Sequence, residues 1–254
     1  MVHGCHSIHT CKEITRLLPI AFYQDPDVLH LAKSLLGKLL LTRIDGHLTG
    51  GYITETEGYA GIGDRASHAY NNRRTERTEV MYRAGGIAYV YLCYGIHHLL
   101  NVVTGPEETP HAVLIRALKP AIGEDIMFQR RGKKPLTHGP GALKPAIGED
   151  IMFQTRGKKP LTHGPGALKP AIGEDIMFQT RGKKPLTHGP GALTQALGIT
   201  LKQNGQSLNS SAIWIEEGVR ITSIVETARI GVDYAGDDAL LPYRFIGECA
   251  IFKL

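Results

Sequence analysis

Three tandem copies of one 25-residue unit occupy the middle of the chain and limit the folds that are open to it. The unit ALKPAIGEDIMFQRRGKKPLTHGPG spans residues 117–141 and recurs at 142–166 and 167–191. The copies differ at one position, which is Arg130 in the first and threonine in the other two. Solenoid arrays normally have more copies, divergent sequences and distinct caps. Near-identity instead indicates a recent tandem duplication or an error in sequence assembly, so we interpret two copies as surplus. Added length in a surface loop costs little closure entropy.

The repeat also changes what the net charge implies. A formal charge of +5 would favour an anionic partner such as nucleic acid. Each later copy, however, has four basic residues and two acidic residues, so these two copies supply most of that charge. The net charge is therefore weak evidence for nucleic-acid binding.

The length and composition are those of one soluble globular domain. The chain has 254 residues, of which 42% are hydrophobic and 21% are charged, and domains of this size are common. No apolar run approaches the roughly 18 residues needed to cross a bilayer, and residues 1–16 have no apolar segment of signal-peptide length. We therefore expect a cytoplasmic protein without membrane contact. Residues 1–20 are expected to be a poorly ordered extension, and residues 21–254 the domain.

The cysteines predict neither a disulfide framework nor a metal site. They form no CxxC pair and no zinc-like or iron–sulfur spacing. Reduced thiols are the state expected in a cytoplasmic protein. The four are Cys5, Cys11, Cys93 and Cys249.

Turn signals and apolar patterns predict a sheet built from hairpins. Asp45-Gly46 is a strong hairpin signal between predicted strands at residues 38–44 and 52–57. After a polar loop at residues 58–86, a second hairpin places strands 87–93 and 98–103 on either side of Tyr94-Gly95. Further strands are predicted at residues 112–118, 213–215, 219–224 and 244–246. This pattern predicts an α+β fold, a single domain with a mainly antiparallel curved sheet flanked by helices and one protruding hairpin.

Three helices are predicted beside the sheet. The first has Asp25 as its N-cap, Pro26 at its first position and Gly37 as its stop. A short helix is expected around residues 123–129. The third, ALTQALGI, begins after the Gly-Pro-Gly that ends the last repeat copy.

Two carboxylates and an arginine are candidates for chemistry. Side chains alternate along a strand, so Glu55 and Glu57 share one face, as a general-base site could. A solvated strand end is the plainer explanation of such carboxylates. Arg116 lies in an otherwise apolar strand, and a buried arginine needs a partner such as Glu57. That pairing could be purely structural.

Aromatic residues and one histidine are the other candidates. Tyr89 and Tyr91 share a face of one strand, a spacing that is also typical of a packed sheet. Tyr94 occupies a hairpin tip where Asn, Asp or Gly is usual. Proteins that bend DNA insert such side chains between base pairs, although a tyrosine can also cap an apolar cluster at a sheet edge. His68, in the polar loop, could act in catalysis or form a surface hydrogen bond.

Five motifs occur in order along the chain. They are ITETEGYAGIGDRASHAY, YVYLCYGIHHLLNVVT, AVLIRALKP, GPGALTQALGI and TARIGVDYAGDDALLPYRF. From about Phe22 to the C-terminus, the chain closely resembles the alkyladenine (3-methyladenine) DNA glycosylase family. The repeat departs from the family pattern, which has one such unit, and the ending GECAIFKL is a looser match. The resemblance implies an enzyme that flips a damaged purine out of duplex DNA and hydrolyses its N-glycosidic bond.

The resemblance also implies a role for each candidate. Glu57 would be the general base that activates water, and Arg116 and the backbone around Val113 would help to hold that water. Tyr94 would fill the gap that the extruded nucleotide leaves, and Asn101 would exclude the amino group of guanine. The residues that would stack around the flipped base are Tyr59, His68 and Tyr91, with Tyr89 close by.

The implied partner is double-stranded DNA containing damaged purines, bound by a monomer without a metal or another cofactor. Nothing in the resemblance requires a lysine Schiff base, so we expect a monofunctional enzyme that leaves an abasic site. Two other functions stay open, a non-catalytic DNA-binding module and a hydrolase of free nucleosides, for which a wedge at Tyr94 would have no purpose. The preferred lesion also stays open among 3-methyladenine, 7-methylguanine, hypoxanthine and ethenoadenine.

Overall fold

The computed structural model describes residues 17–132 and 186–249, which belong to one compact unit. The second repeat copy, the end of the first and most of the third lie outside the described residues. Most of the predicted N-terminal extension does as well.

The packed chain begins earlier than the expected boundary at residue 20. Leu18 is fully buried, and its N–H donates to the carbonyl of Ile215 at 3.0 Å. Leu17 forms a β-bridge with Glu216, and a short 3-10 helix follows at Ile20–Gln24. Because Leu18 belongs to the main core, these residues are part of the domain.

Three α-helices accompany the sheet in the described part of the chain: α1 (Val28–Ser34), α2 (Glu124–Arg130) and α3 (Pro190–Leu197). The N-cap of α1 is Asp27, whose side chain accepts hydrogen bonds from the N–H groups of Leu29 and His30. The predicted cap at Asp25 is wrong, because the Asp25 side chain instead accepts from the N–H of Asp27. None of these helices has the length and apolar character needed to cross a membrane.

Eight strands of the described chain form one antiparallel sheet, which confirms the predicted α+β class. The central order is β3-β4-β5-β2-β1-β6, and β8 pairs with β2 on one side and β7 on the other. The strands are β1 (Leu39–Ile44), β2 (His47–Tyr59), β3 (Ile87–Cys93), β4 (His97–Thr104), β5 (His111–Ile122), β6 (Ile213–Glu216), β7 (Ser223–Thr227) and β8 (Arg244–Glu248).

Three strands differ clearly from their predicted bounds. β2 is longer than residues 52–57, because it pairs with β1 from His47 onward. β5 is longer than residues 112–118, because it pairs with β2 along most of that strand. β7 begins at Ser223 and not at the predicted residue 219, because the N–H of Val219 donates to the carbonyl of Gly37 at 2.8 Å instead of pairing with β8. Most of β7 is exposed, so it lacks the alternating pattern that would reveal it in the sequence.

The sheet separates two layers of side chains. On one face, Val90, Val102 and Val113 belong to the main core, together with residues of α1 and α3. On the other face, Tyr89 and Ala112 belong to a smaller cluster with the 3-10 helix Glu79–Tyr82. Alternation along β3 and β5 thus divides these strands between a dry core and the face that holds the candidate site.

The described parts of the repeat fit together as one unit. The first copy supplies the end of β5 and all of α2, and the third supplies the start of α3. Leu118 N–H donates to the carbonyl of Thr187 at 3.3 Å, and the Thr187 hydroxyl donates to the carbonyl of Leu118 at 2.6 Å. Arg130, where the other copies have threonine, donates to the carbonyl of Ile44 at 2.8 Å. The start of the first copy and the end of the third therefore pair as the two flanks of a single copy would.

Candidate active site

A cavity of about 670 Å³ opens on the sheet face opposite the main core. Its floor comes from alternate residues of three neighbouring strands, and its walls come from the loop after β2 and the segment between β7 and β8. The alternate strand residues are Tyr89 and Tyr91 of β3, Leu99 and Asn101 of β4, and Ala112, Leu114 and Arg116 of β5; Tyr59 at the end of β2 and Leu92 and Cys93 at the end of β3 also line the cavity. The alternation that turns one set of strand side chains into the core therefore turns the other set toward the cavity.

Glu57 lies fully buried on β2 at this cavity. One carboxylate oxygen, Oε2, accepts a hydrogen bond from the Tyr59 hydroxyl at 2.9 Å. The other, Oε1, accepts from the backbone N–H of Ile230 at 2.9 Å and lies 3.2 Å from Nη1 of Arg116. All three partners line the cavity. The buried carboxylate therefore lies directly behind residues of the cavity wall.

Arg116 connects the two carboxylates of β2. Its Nε donates to Oε1 of Glu55 at 2.7 Å, and Nε of Arg244 donates to the same oxygen at 2.6 Å. Burial alone would raise the pKa of Glu55, but Arg116 and Arg244 outweigh it and hold that pKa below its usual value. Burial likewise opposes the charge on Arg116, but Glu57 and Glu55 raise its pKa. The prediction that Glu55 and Glu57 share a face and that Glu57 pairs with Arg116 is therefore confirmed.

Aromatic rings form one wall of the cavity. The ring centroids of His68 and Tyr91 lie 4.6 Å apart in an edge-to-face arrangement, and those of Tyr89 and Tyr91 lie 5.4 Å apart. The Tyr89 hydroxyl is hydrogen-bonded to Nδ1 of His68 at 2.8 Å. Burial, with the nearby Arg77 and Arg73, lowers the pKa of His68 to about 4. His68 is therefore a neutral ring at pH 7, with one donor and one acceptor nitrogen.

Tyr59 and Asn101 complete the polar lining. Burial and the adjacent Glu57 raise the pKa of Tyr59 well above its usual value, so its hydroxyl stays a donor. Asn101 is buried, and its Nδ2 donates to the carbonyl of Tyr89 at 3.2 Å. This bond fixes the orientation of the amide within the cavity.

Tyr94 stands at the tip of the β3-β4 hairpin, at the edge of the same cavity. Its side chain is 89% exposed, and its backbone has a φ of 50°, which is uncommon for a bulky residue. Gly95, with a φ of 70°, completes the turn, and Ile96 N–H donates to the carbonyl of Cys93 at 3.1 Å. The hairpin thus presents a large aromatic ring to solvent beside the opening.

The side chain of Val113 lies on the core side of the sheet, opposite the cavity. Its side chain is fully buried in the main core, and its neighbours Ala112 and Leu114 line the cavity instead. Its backbone lies in the sheet between Gly58 of β2 and Val102 of β4. β-strand alternation turns the Val113 side chain away from the cavity, so only its backbone is left for the expected role in holding the water, and that role stays a prediction.

Several residues at the site carried no assigned role in the sequence analysis. Ile230 supplies a backbone donor to Glu57, Arg244 shares Glu55 with Arg116, and Arg229 stacks 4.9 Å from the ring of Tyr59. Their motifs, TARIG and LPYRF, are within the segment that resembles the glycosylase family, but only the fold brings them to β2. Tyr234, which lines the cavity, comes from the same segment.

In residues 17–132 and 186–249, no cluster of three or more His, Cys, Asp or Glu side chains has a geometry that could hold a metal ion. Cys93 and Cys249 are free thiols.

Comparison with family models identifies the family of the chain. A model of the family described as methylpurine-DNA glycosylase matches residues 21–159 and 142–249. The chain therefore belongs to the methylpurine-DNA glycosylase family, which confirms the resemblance found in the sequence. The two matched stretches overlap within the second repeat copy, as expected if the family pattern contains the unit once.

Individual relatives match over most of their length. A protein of Chlamydia felis is 43% identical over 235 residues, which cover 91% of this chain and 95% of the relative. One of Chlamydia pneumoniae is 43% identical over 230 residues, covering 89% and 92%. One of Bacillus subtilis is 38% identical over 231 residues, covering 90% and 91%. Each carries the provisional name 3-methyladenine DNA glycosylase.

Proposed function

We propose that this protein is a monomeric DNA repair glycosylase that extrudes an alkylated or deaminated purine from duplex DNA and hydrolyses its N-glycosidic bond. Water activated by Glu57 is the nucleophile, and an abasic site is the product. The observation that carries the proposal is the buried Glu57 carboxylate, held by Arg116, Tyr59 and the N–H of Ile230 at an aromatic cavity.

The chemistry follows from this carboxylate. Glu57 takes a proton from water as the water oxygen forms a bond to C1′ of the extruded nucleotide. The bond between C1′ and N9 breaks, and its electron pair leaves with the purine. An alkylated purine that carries a positive charge becomes neutral as it departs, so one base and one water suffice. Arg116, together with Arg244, places positive charge beside the two carboxylates of β2.

The cavity suits an electron-poor purine. Aromatic faces attract positive charge, and Tyr59, Tyr91 and the neutral His68 provide such surfaces without electrostatic repulsion. Asn101, held by its bond to Tyr89, presents a fixed side chain where the exocyclic amino group of guanine would enter. These features support the binding of damaged purines over normal guanine.

The surface beside the cavity suits a duplex. Tyr94 supports extrusion because an exposed ring at a hairpin tip can occupy the gap that a flipped nucleotide leaves. Three exposed arginines line the same opening and could contact phosphates, which are the anions that position DNA on a protein. They are Arg65, Arg73 and Arg77.

The test compares two substrates with the full chain. Duplex DNA treated with a methylating agent should release methylpurines, with one abasic site formed for each base and no strand cleavage by the enzyme. Free methylated deoxynucleosides should be hydrolysed far more slowly, because they offer nothing for Tyr94 to replace. Binding to methylated DNA without base release would instead identify a non-catalytic DNA-binding module. Equal hydrolysis of free nucleosides would identify a nucleoside hydrolase.

A further inference from the structure

A buried ion pair lies behind the candidate active site. Arg229 donates to both carboxylate oxygens of Asp64, and the side chains are 0% and 2% exposed. Burial opposes the charge on Arg229, but its contact with Asp64 raises its pKa. Burying an ion pair costs desolvation energy, and apolar residues often stabilise such a position better. The pair therefore calls for an explanation beyond stability.

The remaining Nη donors of Arg229 bond to the elements that surround Glu57, whereas its buried Nε has no hydrogen-bond partner within the described residues. Its Nη1 donates to the carbonyl of Gly58, the residue after Glu57, at 3.0 Å. Its Nη2 donates to the carbonyl of Asp238 at 3.0 Å. The guanidinium also lies 4.9 Å from the ring centroid of Tyr59. One side chain thus ties the loop after β2, the end of β2 itself and the segment before β8.

Two neighbours of Arg229 donate hydrogen bonds to the Glu57 carboxylate. Ile230, the residue after Arg229, donates its backbone N–H to Oε1 of Glu57. Tyr59, which Arg229 stacks on, donates its hydroxyl to Oε2. Of the three groups that hold Glu57, two therefore belong to residues next to Arg229: Ile230 follows it in the chain, and Tyr59 contacts its guanidinium.

We propose that Arg229 is a positioning residue for the hydrolytic step, and that its ion pair with Asp64 fixes the donors that orient the Glu57 carboxylate. The role rests on the proposed function of Glu57 as general base. Arg229 acts through Ile230 and Tyr59, so its loss should slow base release and leave DNA binding nearly unchanged. If Arg229 only stabilised the fold, its loss would reduce the fraction of folded enzyme without changing the rate constant of the folded molecules.

Single-turnover excision separates these two roles. With enzyme in excess over methylated duplex, the rate constant reports the chemistry of active molecules, and titration with a duplex that resists hydrolysis reports the active fraction and the Kd. We expect Arg229→Gln to lower the rate constant by about tenfold to a hundredfold, the range expected for disturbed hydrogen bonds to a charged group. The Kd should change by less than about threefold. Arg229→Lys, which keeps the charge but not the planar fork, should recover part of the lost rate.

Arg74→Gln is the matched control. Arg74 also pairs with carboxylates, Glu79 and Glu108, and lies 4.4 Å from the ring of Tyr82. These three partners are not among the residues that hold Glu57. Its rate constant should stay within about twofold of the unmodified enzyme. Should Arg229→Gln not fold, Asp64→Asn and Arg229→Lys decide the question, and both should lower the rate constant.

Unchanged rate constants in the folded Arg229 and Asp64 variants would overturn the positioning role, as would an equal loss in Arg74→Gln. Neither result would affect the role of Glu57. If Glu57→Gln itself excised methylpurines at the normal rate, the proposed function would fail first, so the two failures are distinguishable.

Discussion

Nη1 of Arg116 lies 3.2 Å from Oε1 of Glu57, and the two side chains are only 10% and 0% exposed. The guanidinium places a positive charge beside the carboxylate of the proposed general base, and a buried carboxylate needs such a partner. The same guanidinium reaches Glu55, so one arginine compensates two acidic groups, with Arg244 as a second cation on Glu55.

Arg116→Gln should therefore lose both activity and stability. Removing one partner of a buried ion pair costs about 3–5 kcal/mol, and the free energy of unfolding should fall by this order. The single-turnover rate constant of the folded fraction should fall by at least about a hundredfold. Arg244→Gln, which removes a cation from Glu55, is the matched control and should retain much more activity. Equal rate constants in the two variants would contradict a specific role of Arg116 at Glu57.

Tyr94→Ala should impair base extrusion more than the hydrolytic step. Because the ring is 89% exposed, its loss removes little native packing. In the DNA complex, however, nothing would occupy the gap that the extruded nucleotide leaves in the base stack. Fluorescence of a base analogue at the target site reports extrusion directly, and we expect the flipped population to fall by about tenfold. Ile96→Ala changes another exposed side chain of the same hairpin tip and should have a smaller effect. Unchanged flipping in Tyr94→Ala would leave only a structural role for this residue.

His68 should make the folded protein sensitive to mild acid. Its pKa is about 4 in the folded state because of burial and the nearby Arg77 and Arg73, against 6.5 for an ordinary histidine. The unfolded chain therefore binds a proton below pH 6.5 that the folded chain refuses until about pH 4, and the free energy of unfolding falls across this window. By pH 5 the loss should be about 2 kcal/mol.

Urea denaturation at pH 7 and pH 5 measures this difference, and His68→Gln serves as the control. The variant should lose about 2 kcal/mol less than the unmodified protein between these pH values. Identical losses would mean that His68 titrates normally in the folded state.

Deleting residues 142–191 should leave a folded and active enzyme. The deletion joins Gly141 to Ala192, so residues 136–141 of the first copy take the places of residues 186–191. Those places are defined by the pairing of Thr187 with Leu118. Arg131 also donates to the side chain of Gln195 at 2.6 Å, so the end of α2 already contacts α3. None of the residues that hold Glu57 lies within the deletion.

The shortened protein should excise methylpurines at least as fast as the full chain. Its affinity for DNA should fall only insofar as the deleted lysines and arginines contact phosphate, which the salt dependence of binding measures. Loss of folding, or loss of excision while the full chain stays active, would mean that the extra copies are integral to the fold.

Local signals in the sequence predicted most of the sheet. The turn at Asp45-Gly46 and the hairpin at Tyr94-Gly95 both have positive φ values at these residues, as the turn chemistry requires. Alternation also placed Glu55 and Glu57 on one face, and the apolar surroundings of Arg116 in the sequence indicated that it needs a partner such as Glu57. These features depend on neighbouring residues, so they can be recognised without the fold.

The remainder depends on contacts between distant segments. Arg229 and Asp64 are 165 positions apart, and no local pattern marks either as half of a buried pair. The N–H of Ile230 is likewise 173 positions from the Glu57 carboxylate that it reaches. The side chain of Val113 points into the main core because of its place in β5, whereas the role expected for its backbone came from the resemblance and stays a prediction.

The excision rate of Glu57→Gln tests the central claim most directly. Gln keeps the shape of the side chain but cannot take a proton from water, so the variant should bind methylated duplex with nearly unchanged Kd and release no methylpurine in a single-turnover assay. Glu55→Gln, on the same face of β2 but farther from the reacting atoms, is the control and should retain measurable excision. A Glu57→Gln enzyme that releases methylpurines at a near-normal rate would remove Glu57 from the mechanism and contradict the proposed function.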